Sequence, residues 1–91
     1  MDIEDWRKKI DELDAKLLEL LNERVSLALE IGKIKAINAK PVYSPDREAY
    51  IRNRLKTLNS GPLPDEAVDR LFQMIIDESR RLEEEDSGAE E

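Results

Sequence analysis

The sequence contains no cysteine and no histidine. The first absence excludes disulfides and removes any thiol signal of compartment. The second excludes histidine acid–base catalysis and histidine-ligated metal sites. Aromatic residues are scarce, with one Trp, two Tyr and one Phe in 91 residues, and there are only three glycines and four prolines. With so few breakers, a chain rich in long aliphatic and charged side chains favours helices. No stretch is apolar throughout and the first residues are acidic. Neither a membrane span nor a signal peptide is therefore expected, and the chain is expected to be cytoplasmic. Positive charge is also in deficit, 15 basic against 22 acidic residues for a formal net charge of −7. That excludes nucleic acid as a partner, since phosphate contact needs clustered Lys and Arg. A small anion could be held only where a few cations are concentrated locally.

What is present reads as three helices in one small domain. The first segment runs from about Asp5 to about Asn38 without proline. Trp6, Ile10, Leu13, Leu17, Leu20, Leu27, Ile31 and Ile34 recur at alternating steps of four and three, a heptad seam in which Arg24 fills one position. Ser44 predicts an N-cap and Pro45 the first residue of a second helix. Arg47, Ile51, Leu55 and Leu58 form its expected inner stripe, and Asn59–Ser60–Gly61–Pro62 breaks it. A third helix is expected from Pro64 or Asp65 to about Glu85, with Val68, Leu71, Phe72, Ile75, Ile76 and Leu82 on its apolar face. The domain is expected to occupy residues 1–85, followed by a disordered acidic tail, 86–91. A first helix of about 34 residues spans roughly 50 Å, whereas a compact globule of this chain length is only about 30 Å across. The seam would stay wet unless another chain covers it, so the expected architecture is all-α and intertwined, a homodimer in which two long helices pair.

Several polar residues fall on inward faces. Arg24 interrupts the seam, where it either pairs with a carboxylate, sets helix register or grips a ligand. Lys35 lies three turns on, ~16 Å along the axis, on nearly the same face. Arg47 shares a stripe with Ile51 and Leu55 and should point inward, with Glu48 about 100° away at the edge of the same pocket. Glu48 is equally explained as a first-turn acid favoured by the helix dipole. Ser79 and Glu83, one turn apart, continue the apolar face of the third helix, although Glu83 also opens an acidic run that reads as solvated. Arg7 lies ~25 Å from Arg24 along the first helix. It can reach the same small ligand only from an antiparallel second copy.

Four strings, in order, carry a resemblance: Trp6-Arg7-Lys8-Lys9-Ile10-Asp11-Glu12-Leu13-Asp14; Leu20-Leu21-Asn22-Glu23-Arg24 with Ile31-Gly32-Lys33-Ile34-Lys35; Pro41-Val42-Tyr43-Ser44-Pro45-Asp46-Arg47-Glu48; and Leu71-Phe72-Gln73-Met74-Ile75-Ile76-Asp77-Glu78-Ser79. Over nearly the whole chain, to about Glu83, the sequence resembles the all-helical class of chorismate mutases. The resemblance implies an isomerase that converts chorismate to prephenate by a [3,3] rearrangement in phenylalanine and tyrosine synthesis, with no metal and no cofactor. It implies that Arg24, Arg47 and a second copy's Arg7 bind the two substrate carboxylates, and that Lys35 contacts a carboxylate and the ether oxygen. By the same resemblance Glu48 accepts from the ring hydroxyl, Ser79 lines the site and Glu83 donates to the ether oxygen. Ser44 stands where some members carry Asp near the ring hydroxyl. Two other readings remain open on sequence: a lyase of the same fold that eliminates pyruvate from isochorismate, and a non-catalytic helical dimerisation or regulatory module. The second explains the heptads but not Arg24, Lys35, Arg47 and Ser79 together on inward faces.

Overall fold

The structure is a computed structural model and describes residues 1–89. It is all-helical, with α1 spanning Ile3–Ile37, α2 Pro45–Leu58 and α3 Asp65–Ala89, and no strand among the described residues. Each start has a chemical cause. Asp2 caps α1 by accepting from the Asp5 N–H at 3.0 Å, while the Asp5 carboxylate accepts from the Asp2 N–H at 3.1 Å. This reciprocal box satisfies two otherwise orphaned donors. Ser44 caps α2 ahead of Pro45, as its sequence predicts, by accepting from the Arg47 N–H at 3.4 Å. Between α2 and α3 the Asn59 amide donates to the Leu63 carbonyl at 2.7 Å and to Asp65 at 2.9 Å. Gly61 takes the left-handed conformation (φ 80°) that this turn requires. The third helix runs four residues past its expected end near Glu85, because no proline interrupts Asp86–Ala89. Glu90 and Glu91, the end of the expected tail, lie outside the described residues.

The middle layer is α3, which packs on α1 with one flank and on α2 with the other. Val68 and Ile76 are its buried apolar residues, and Ser79 is buried about one turn beyond Ile76. Leu71, expected inside, is 48% exposed at the edge of this face. The contact with α1 is made by a second apolar stripe, Leu21, Val25, Ala28 and Leu29 with buried Gly32, rather than by the heptad seam. Every residue from 1 to 20 is exposed, and so are the seam residues Leu27, Ile31 and Ile34. Half of α1 therefore projects from the three-helix layer, and the molecule measures 55 × 26 × 14 Å.

The inner face of α2 is turned from its expected position. Leu58 is exposed and Arg47 lies at the rim, whereas Glu48, Ile51, Arg52, Leu55 and Lys56 face inward to varying depth. Charge pairs across the helices accompany this rotation. Arg52 and Lys56, one turn apart on the same face, both reach Asp69 of α3, at 3.8 and 3.3 Å. No described helix is long and apolar enough to cross a membrane.

Candidate active site

A cavity of about 320 Å³ opens where the second half of α1, the loop before α2, the start of α2 and the end of α3 converge. That volume suits a small ligand. Its walls are aliphatic: Leu27, Ala28 and Ile31 from α1, Val42 from the loop, Ile51 from α2 and Ile76 from α3. Its charged lining is four cations, Arg24, Lys35, Arg47 and Arg80, against two carboxylates, Glu48 and Glu83. In a chain of net charge −7 this is a local inversion of sign. Low-dielectric walls around it strengthen its attraction for an anion.

Seven of the eight residues singled out from the sequence line this one cavity: Arg24, Lys35, Ser44, Arg47, Glu48, Ser79 and Glu83. The Arg24 guanidinium donates to the Ser79 hydroxyl at 3.0 Å, bridging α1 and α3. Burial holds its pKa below the usual arginine value, repulsion from Arg47 lowers it further, and Glu83 opposes both. Lys35 donates to the Val42 carbonyl at 3.1 Å, which ties the end of α1 to the loop. Ser44 lines the cavity while its oxygen caps α2, and its hydroxyl proton stays available to donate. Arg47 enters from the rim, its guanidinium 5.2 Å from the centroid of Tyr50.

The order of depth on α2 is the reverse of the expected one. Glu48 lies deeper than Arg47, its side chain only 12% exposed, because α2 is rolled toward α3. Both of its oxygens are held from α3, Oε1 by the Gln73 amide at 3.3 Å and Oε2 by Arg80 at 3.3 Å. Glu83 sits against the buried Gly32 of α1, where an added Cβ would come within 3.1 Å of its Cγ. Burial raises the Glu83 pKa above the ordinary glutamate range, against the attraction of Lys35 and Arg24, and Glu84 adds to the rise. The eighth residue, Arg7, is not at this cavity. It pairs with Glu4 at 2.7 Å on the exposed N-terminal half of α1.

Sequence reasoning missed Arg80, Gln73 and Gly32. Arg80 follows Ile76 by four and Gln73 by seven, so the same helical periodicity that selected Ser79 and Glu83 places it on that face. Gly32 is the one glycine of the first helix, a position that costs helix stability unless close packing requires it.

The chain has marked similarity to known proteins. The family model described as chorismate mutase type II matches residues 6–84. A bifunctional chorismate mutase/prephenate dehydratase of Neisseria gonorrhoeae is 47% identical over 77 residues, which is 85% of this chain and 21% of that protein. The chain thus spans about a fifth of the length of such bifunctional relatives. A chorismate mutase of Methanocaldococcus jannaschii is 40% identical over 78 residues, covering 85% of this chain and 79% of that protein. Among solved structures, the form II chorismate mutase from Thermus thermophilus superposes with a TM-score of 0.89 at 39% identity, over 90% of this chain and 93% of that one.

Proposed function

The chain belongs to the chorismate mutase type II family, and from that premise we propose how its cationic groove isomerises chorismate to prephenate. The observation that carries the reading is the cavity with four cations and two carboxylates inside an otherwise acidic chain. Chorismate is a dianion, and the cavity offers it four cations against two carboxylates.

The rearrangement breaks a C–O bond and forms a C–C bond within one molecule, so the protein's part is to fix conformation and stabilise charge. Arg24 and Arg47 take the substrate carboxylates and hold the enolpyruvyl arm over the ring. The aliphatic walls press the two halves together. As the C–O bond stretches, negative charge grows on the ether oxygen. Lys35 and protonated Glu83 meet that charge, an interaction stronger in the transition state than in the ground state and hence rate-enhancing. Glu48 accepts from the ring hydroxyl and Ser44 stands ready as an auxiliary donor. Ser79 holds Arg24 in place. Support for these roles lies in the convergence of all seven side chains on one cavity and in the raised pKa of Glu83.

The assembly is a homodimer paired antiparallel along α1, so that Arg7 of the second copy completes the carboxylate site. The support is the uncovered heptad seam. Residues 1–85 form the catalytic domain and 86–91 an acidic extension, and the chain works in the cytoplasm. The test is a chorismate-consumption assay on the pure chain, followed by loss of ultraviolet absorbance with prephenate identified as product. A stable bicyclic dicarboxylate mimic of the transition state is expected to bind and to inhibit competitively. Failure of the chain to consume chorismate, or inhibitor binding that survives Arg24→Ala, rejects the reading.

A further inference from the structure

We propose that Arg80 is a positioning residue of this groove, which together with Gln73 holds the Glu48 carboxylate aimed into the cavity and away from the cations that take the substrate. The proposal rests on the reading of Glu48 as the acceptor of the substrate's ring hydroxyl. Four side chains form a closed ring. Arg80 Nη1 lies 3.3 Å from Glu48 Oε2 and Arg80 Nη2 lies 2.9 Å from Asp77 Oδ1. Gln73 Nε2 donates to Asp77 Oδ1 at 2.8 Å and to Glu48 Oε1 at 3.3 Å. The guanidinium also stacks on Tyr43, 4.6 Å from the ring centroid, so one side chain joins the loop before α2, α2 itself and α3.

The need for such a restraint follows from what else lines the cavity. Arg24, Lys35 and Arg47 share it with Glu48. A carboxylate free to rotate among three cations would pair with one of them and occupy a position meant for a substrate carboxylate. Arg80, which lines the cavity beside Glu48, supplies the competing partner from α3 and fixes the rotamer. A planar fork meets two carboxylates through separate nitrogens while its face lies on a ring; a lysine, a point charge on a flexible stem, fixes that geometry less firmly.

The experiment is a kinetic cycle of Arg80→Ala and Glu48→Gln, alone and combined, with Arg80→Lys as the conservative variant and thermal melts on all of them. Arg80→Ala is expected to raise KM for chorismate about tenfold while kcat changes less than about threefold, since a misplaced Glu48 competes with ground-state binding. In the Glu48→Gln background the same change is expected to add less than about twofold, because coupled neighbours are non-additive. Arg80→Lys is expected to fall between wild type and Arg80→Ala. An equal rise of KM in both backgrounds would mean that Arg80 touches substrate directly, and overturns the proposal. A loss confined to melting temperature and active fraction, with KM unchanged, shows a merely structural part and overturns it too. Should Arg80→Ala fail to fold, Gln73→Leu removes the other hold on Glu48, and its KM must rise while that of the combined Gln73→Leu, Glu48→Gln chain does not rise further. Wild-type kinetics in Glu48→Gln alone would remove the premise and the proposal together. An impaired Glu48→Gln beside a normal Arg80→Ala removes only the proposal.

Discussion

Glu83 stands under opposing influences: burial against α1 favours its neutral form, while Lys35 and Arg24 favour the charged one, and burial prevails. The neutral acid is the form that can donate to an ether oxygen. The donor is therefore present below the raised pKa and lost above it, so kcat/KM is expected to fall as pH rises through that value. Glu83→Gln keeps a donor at every pH and should flatten the profile; a profile unchanged in the variant removes the role. Linkage gives the same residue a stability signature. Because the folded chain holds this proton more tightly than the unfolded chain, Glu83 makes stability fall as pH climbs from the ordinary glutamate range through the raised pKa, and no further above it. Melting curves of wild type and Glu83→Gln should accordingly separate on going from acid to neutral pH, with the variant the more stable at neutrality. Gly32 acts on the same carboxyl group from the other side. An alanine Cβ there would meet Glu83 Cγ at 3.1 Å and Cβ at 3.2 Å, atoms too near the backbone to swing clear. Gly32→Ala gains up to about 1 kcal/mol of helix propensity, which offsets the crowding against Glu83, so its melting temperature should change little, yet displacement of Glu83 should lower kcat/KM about tenfold. Unaltered kinetics would show that the close approach serves packing alone.

At the scale of the helices, local chemistry was legible and relative rotation was not. Ser44–Pro45 and Asn59–Pro62 are signals written in adjacent residues, and α2 begins and ends where they say. The face that α2 turns inward is set by its packing on α3, where Arg52 and Lys56 meet Asp69. Contacts between distant positions leave no periodic trace, and those of Glu48 with Gln73 and Arg80 lie on the side of α2 that its stripe did not mark. The heptad seam of α1 was conspicuous because its residues are large. Its second stripe was not, because Ala28 and Gly32 carry little apolar bulk and are informative only once α3 is seen against them. Arg80 shared the periodicity of Ser79 and Glu83, but a single arginine on a charged helix does not reveal that Tyr43 and Glu48 will meet it. The cap itself makes a prediction. Ser44→Ala removes the side-chain acceptor of α2 and should cost about 1 kcal/mol, which is roughly 4–8 °C of melting temperature in a domain of this size. Ser44→Asp keeps the acceptor and adds a charge favourable at a helix N-terminus, so it should melt no lower than wild type. Equal losses in both variants would show that the cap contributes nothing.

The whole molecule is too extended for its length. Its radius of gyration is 16.3 Å, whereas a compact chain of 91 residues is expected near ~12 Å. The excess is α1, whose Trp6, Ile10, Leu13, Leu17 and Leu20 are each more than half exposed along one line. An apolar stripe of that length on a lone chain is a surface in want of cover. A second α1 running antiparallel is self-complementary, since each residue near one end meets its counterpart's middle. In the proposed dimer the same geometry would carry Arg7, which is some ~25 Å from Arg24 within its own helix, to the cavity of the opposite copy. Arg7→Ala and Arg24→Ala homodimers should then each be poor enzymes, for every site lacks one cation. In a mixed dimer one site carries both lesions and the other carries neither. Equal mixing with free subunit exchange puts half the dimers in that form, so activity should recover to about a quarter of wild type. Recovery should require exchange, and should vanish if the subunits are cross-linked before mixing. A mixture that exchanges freely, as judged by mass, yet stays as inactive as its parents would show that Arg7 works within its own chain or not at all.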